Sequence, residues 1–184
     1  GGSSVSVSNG TATGSILSIG VPTKLSIATQ PTSNAQSGLE FDQQPAIQLK
    51  NDSNVDVPQS GVVITVALAS GADTLGGILT ATTDANGLAR FTDLKITGVV
   101  GDRTLIFTSP NLTSVTSTTV TLSAGAVSAS TSTVNASPSV NVPADGSTTS
   151  TVTVTLKDSE NNPISGKTVV LTDDSTTGTI SAAS

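Results

Sequence analysis

Three groups of acidic and amide residues in this chain could do chemistry: Asp145-Gly146, then Asp158 with Glu160, Asn161 and Asn162, then Asp173-Asp174. Oxygen-rich clusters suit calcium, which takes roughly six to eight oxygen ligands. Asp145, Asp158 and Glu160 are the candidate ligands, although no cluster has EF-hand spacing. The competing account is turn chemistry, in which Asp and Asn side chains cap their own backbone where a strand ends. Asp173 and Asp174 are adjacent, so on a strand they face opposite ways and cannot work as an acid–base pair. A second chemistry would be an isopeptide cross-link from Lys24, Lys50, Lys157 or Lys167 to an Asn or Asp. It requires a buried lysine and a carboxyl catalyst, and Glu40 and Glu160 are the only glutamates. Lysines guarding sheet edges against association are the plainer expectation.

The residue types that are missing narrow the choice further. The 184 residues include no His, Cys, Trp, Tyr or Met. Without His the usual general base is gone, and without Cys there is neither a thiolate metal site nor a disulfide framework. Three Phe residues are the whole aromatic complement, so the platforms on which sugars and bases stack are lacking. A net charge of −6 opposes binding to a phosphate backbone. No apolar run approaches the ~20 residues that span a bilayer as a helix. The expectation is therefore no enzyme, no cofactor, no nucleic-acid partner and no membrane insertion. The opening Gly-Gly, with no leader before it, reads as a mature or partial chain.

Any site must be held by β-structure. Ser and Thr make up about a third of the chain, with Val the leading apolar residue. Thr and Val are β-branched, stiff at the first side-chain torsion and at home on a pleated sheet. Alternation marks the strands: Leu25 and Ile27, Ile47 and Leu49, then Val62, Ile64, Val66 and Leu68. One buried and one wet face per strand is the pattern of a two-layer sandwich. Asn86-Gly87 signals a hairpin. Ala89 and Phe91 share one phase whereas Leu94 and Ile96 take the other, which predicts a bulge or kink near Asp93. Seven or so short strands between residues 21 and 125 fit an immunoglobulin-like sandwich.

From residue 126 the logic restarts. Leu156-Lys157, Asp158-Ser159 and Ser165-Gly166 echo Leu49-Lys50, Asp52-Ser53 and Ser60-Gly61, the sign of a tandem array. The stretch PADGSTTSTVTVTLKDSENNPISGKTVVLT, residues 143–172, resembles the bacterial Ig-like repeats of the invasin and intimin type. The resemblance rests on Pro143-Ala144-Asp145-Gly146, the Thr/Val strand over 149–156 and the corner from Asp158 to Gly166. Residues 24–125 resemble a related repeat through IATQP, DANGLARF and TLSAG. This implies stalk or fibre modules of adhesins at a bacterial cell surface, with partners that are neighbouring repeats or copies of the chain. It does not by itself imply a receptor-binding site.

The fold class expected is thus all-β, tandem Ig-like sandwiches, divided into a segment 1–20, a complete domain 21–125 and the first half of a second domain over 126–184. That half lacks a counterpart of residues 80–125. Its apolar face, with Val152, Val154, Leu156, Val169 and Leu171, would accept another strand. SNGTATGSILSIG, residues 8–20, matches ANGLARFTDLKIT, residues 85–97, in register. One reading makes the first segment a donor strand, with Ile16, Leu17 and Ile19 entering a neighbouring chain's open half and building a head-to-tail filament. The other makes it the end of a preceding domain. A glycan- or protein-binding module working through its loops is a rival function, and an accessory domain of a larger secreted protein another.

Overall fold

The computed structural model describes residues 20–143 and 145–172, and every regular element among them is a strand. In chain order these are β1 (Lys24–Thr29), β2 (Asn34–Gln36), β3 (Ala46–Lys50), β4 (Val63–Leu68), β5 (Thr74–Gly76), β6 (Thr80–Thr82) and β7 (Leu88–Arg90). They continue as β8 (Lys95–Thr97), β9 (Gly101–Arg103), β10 (Leu105–Thr108), β11 (Val115–Thr116), β12 (Val120–Ser123), β13 (Thr133–Ser137) and β14 (Thr151–Thr155). The all-β, Ig-like sandwich expected from the β-branched, alternating sequence is what forms.

Alternation decides what each strand buries. In the sheet β1-β3-β7, Leu25 lies opposite Leu49 and Ile27 opposite Ile47. In the sheet β11-β10-β4-β6, Phe107 lies opposite Val66. Leu25, Ile47, Leu49 and Ala89 from the first sheet meet Ile64, Val66, Leu105 and Phe107 from the second in one core. The intervening residues of β4, Val63 and Thr65, face solvent. Val120 and Leu122 of β12, in a third sheet ordered β2-β12-β9, close the same core. All three Phe are inside, and the rings of Phe91 and Phe107 meet tilted at 56° with centroids 5.3 Å apart.

The phase change near Asp93 is a kink. Phe91 and Leu94 are both buried although a straight strand would send them to opposite faces. Asp93 reverses the phase with a φ of 61°. The Gln44 side chain fastens the kink, accepting from the Leu94 amide at 3.1 Å and donating to the carbonyl oxygens of Leu94 and Phe41 at 3.2 Å.

The Asn86-Gly87 hairpin does not form. β6 pairs with β4 and β7 with β3, so the turn carries the chain from one sheet to the other. Asp84 governs it, its Oδ1 accepting the amides of Asn86 at 2.8 Å and Leu88 at 3.1 Å. Gly87 is required there for space, since a Cβ would stand 1.9 Å from the Val57 carbonyl oxygen. The dipeptide marked a turn correctly; strand partnership, set by which face each strand must bury, was not in it.

The second unit is a ribbon, β13 antiparallel to β14. Val134 faces Val154 and Ala136 faces Val152, while Asn135 opposite Thr153 makes a polar reverse side. Val134 is 66% exposed and Val152 44% exposed. Residues 167–172 join no ladder with a described strand. Val169 and Leu171 are exposed, and Leu156 is half-buried at the end of β14. Of the residues named as an acceptor face, Val152 and Val154 share one side of the ribbon. The donor candidates Ile16, Leu17 and Ile19 lie outside the described residues.

Candidate functional site at the junction of the two units

Between β12 and β13 the chain crosses at Ala124-Gly125 and is caught again at Ser128, whose amide donates to the Lys157 carbonyl at 2.8 Å. Facing this crossing is the corner that follows β14. It is a tight turn: the Asp158 amide donates to the Asn162 carbonyl and the Asn161 amide to the Asp158 carbonyl, both at 3.1 Å. Asn161 takes a φ of 63°, a conformation that Asn tolerates better than most residues.

Asp158 and Asn162 point from this corner into the first unit. They are 1% and 2% exposed, the two buried residues of the second unit among those described. Asp158 Oδ1 accepts the amides of Glu160 at 2.9 Å and Asn162 at 2.8 Å. Its Oδ2 accepts the Gly125 amide and the Asn162 Nδ2, each at 2.7 Å. Asn162 reaches further: its Nδ2 donates to the Gly98 carbonyl and its Oδ1 accepts the Val100 amide, both at 2.9 Å. A carboxylate in the second unit thus holds the linker, and an amide beside it clamps a loop of the first.

The loop is prepared for this. Ser37 Oγ accepts the Gly98 amide at 3.1 Å and donates to the Gly98 carbonyl at 3.2 Å. Asp73 and Arg103 form a largely buried ion pair beneath it. Asp73 also takes the Val99 amide at 3.3 Å, and Arg103 Nη2 donates to the Val99 carbonyl at 2.8 Å. Gly125 fits because it has no side chain; a Cβ would lie 2.8 Å from the Ser37 carbonyl oxygen.

The electrostatics follow from the donors. Burial pushes the Asp158 carboxyl up, but the hydrogen bonds from the Asn162 side chain and the Gly125, Asn162 and Glu160 amides outweigh it and hold the group below its ordinary value. Four N–H groups converge on this carboxylate, which presents positive ends where a cation would have to sit. Asp145 is likewise spent on its own turn, accepting the Ser147 and Thr148 amides and the Thr148 hydroxyl. The Thr148 amide first, then its hydroxyl and the Ser147 amide, hold the Asp145 carboxyl well below the usual carboxylate range. Glu160 is exposed. Of the three calcium candidates, Asp145 and Asp158 serve turns and a domain contact, and no group of three acidic residues gathers among the described residues.

Reading the sequence had singled out Asp158 and Asn162 as turn or ligand residues. It missed Gly98 and Val100, which act through backbone atoms and leave no mark in side-chain type. Gly125 carried a faint signal, since Gly20 also precedes the first strand of a unit.

A sequence-family profile described as invasin, domain 3, matches residues 128–184. Among solved structures, that of FdeC, described as a broadly conserved Escherichia coli adhesin eliciting protection against urinary tract infections, is similar with a TM-score of 0.52 at 20% identity. The match covers 79% of this chain and 44% of that one, so this chain spans less than half of that structure. A β-glycosidase from Bacteroides vulgatus aligns over 56% of this chain and 14% of its own, with a TM-score of 0.40 and 14% identity, too slight a likeness to carry an argument. No curated protein matches. The likeness to invasin domain 3 thus covers residues 128–184, and a likeness of fold to the adhesin structure covers most of the chain.

Proposed function

We propose that this chain is a non-enzymatic spacer of an adhesin-type stalk outside a bacterial cell, and that it holds successive Ig-like domains at a fixed mutual angle. The observation that carries this reading is the Asp158–Asn162 clamp on Gly98, Val100 and Gly125. Domains joined by a bare linker move independently by default. A linker whose amide is bonded to a buried carboxylate passes orientation from one domain to the next. Each sandwich keeps its ladder bonds internal, so reach comes from serial linkage. The described adhesin role of FdeC on Escherichia coli fits the same setting. The partners in this reading are neighbouring Ig-like repeats, with no cofactor.

Loop-mediated binding of a glycan or protein has less support. Phe41, the aromatic residue that an exposed binding cluster would need, is 4% exposed, and Arg103 is committed to Asp73. Electron microscopy of the native material is expected to reveal fibres with a constant axial repeat. Isolated particles whose two units adopt many relative angles would sink the stalk reading.

A second reading, assembly by strand exchange, is favoured by one observation: the Val134, Ala136, Val152, Val154 side of the ribbon is covered by no described strand. A strand from a neighbouring chain laid there would extend the ladder and bury the valines. In this case sedimentation should detect concentration-dependent oligomers that vanish when residues 1–19 are deleted. Identical monomers before and after deletion dispose of the exchange.

A further inference from the structure

The corner that seats the second unit on the first exists twice. In the first unit Asn51 occupies the place of Asp158: its amide donates to the Val55 carbonyl at 3.0 Å, and its Oδ1 accepts the Val55 amide at 2.9 Å. The Asn54 amide donates to the Asn51 carbonyl at 3.0 Å, and Asn54 has a φ of 63°, as Asn161 does. The Val57 amide donates to Leu49 as the Ile164 amide does to Leu156, each at 2.9 Å. The linkers correspond as well. Thr23 donates its amide to Lys50 as Ser128 does to Lys157. Three residues before each lies a glycine, Gly20 or Gly125, and the Asn51 side chain borders Gly20 as that of Asp158 borders Gly125.

We infer that the Asn51–Val55 corner is the seat of a preceding Ig-like module that leads into Gly20. The inference rests on the stalk reading and extends it by one junction. The sequence approaching Gly20 supports it: Thr11, Thr13, Leu17 and Ser18 stand where Thr116, Thr118, Leu122 and Ser123 stand before Gly125. That register, ending glycine on glycine, agrees with the geometry around Gly20, whereas the register against residues 85–97 pairs Gly20 with Thr97. The chemistry of the seat differs from the one described above. Val55, half-buried, replaces Asn162, so the amide clamp on a backbone carbonyl is lost. An apolar loop, such as Val99-Val100 of this chain offers, is the surface that Val55 would meet. Asn51 carries no charge, so this seat has no counterpart of the Asp158 carboxylate.

The test joins a second copy of residues 20–125 ahead of the chain, with its Gly125 replacing Gly20. Spin labels placed across each junction report distance distributions. The new junction is expected to give a narrow peak, and V55D is expected to abolish it while the melting of the units stays where it was. N51A should broaden the same peak. A broad distribution across the new junction, with a narrow one retained across the original Gly125, overturns this inference and leaves the stalk reading standing. A narrow peak indifferent to both V55D and N51A overturns the seat. Broad peaks across both junctions overturn the stalk reading itself.

Discussion

Asp158→Ala is expected to undock the second unit while the first stays folded. The substitution strips the acceptor from three backbone amides, those of Gly125, Glu160 and Asn162, and from the Asn162 side chain. Leaving a buried donor unsatisfied costs about 1–3 kcal/mol, and the losses are not additive because the groups share one site. A total of about 3 kcal/mol corresponds to roughly a hundredfold rise in the opening equilibrium at the junction. Hydrogen exchange reads this directly: the amides of Gly125, Val100 and Asn162 should lose protection together, with those of β3 and β10 unchanged. Protection at Gly125 that persists in the variant would count against the clamp. Acid does the same more gently. Because the docked carboxyl lies below its ordinary value, the undocked state takes up a proton first, and acid favours it. The stabilisation is complete above the unperturbed Asp value of about 4 and fades as pH falls through the lower docked value.

Phe107→Ala should act on the other half of the molecule and more severely. Phe107 is fully buried on β10, between β4 and β11, with Phe91 against its ring. Removing a buried Phe side chain costs about 3–5 kcal/mol, the transfer loss plus the cavity left behind. Domains of this kind are stable by about 5–15 kcal/mol in all, so much of the margin goes. Small aliphatics make up most of the rest of this core, and none nearby has the volume to refill the space. Denaturant midpoints should fall sharply with the slope unchanged. A midpoint near that of the parent protein would mean that the ring contributes little to the core.

How much of this was legible in the sequence differs by level. Leu25, Ile47, Leu49, Ile64 and Val66 were placed on buried faces by period-two alternation alone, because that pattern is the direct imprint of one wet and one dry side. The kink at Asp93 was visible as a change of phase. The partnership of β6 and β7 was not visible, since Asn-Gly specifies a turn but says nothing about which sheet each arm joins. The junction was half legible. Asp158 and Asn162 stood out as polar residues at a corner, but their burial depends on a loop sixty residues earlier whose contribution is a carbonyl and an amide. Every residue has those two groups, so composition could not single out Gly98 and Val100.

That choice of main-chain partners has an evolutionary side. A grip that reads the path of a backbone is blind to the side chains along it, so Val99 and Val100 are free to drift as long as the loop keeps its course over Asp73 and Arg103. Repeats whose surfaces have diverged can then be duplicated, shuffled or recombined without renegotiating each contact. What such a chain must keep is shape at its seams, with side-chain variety left to everything between them.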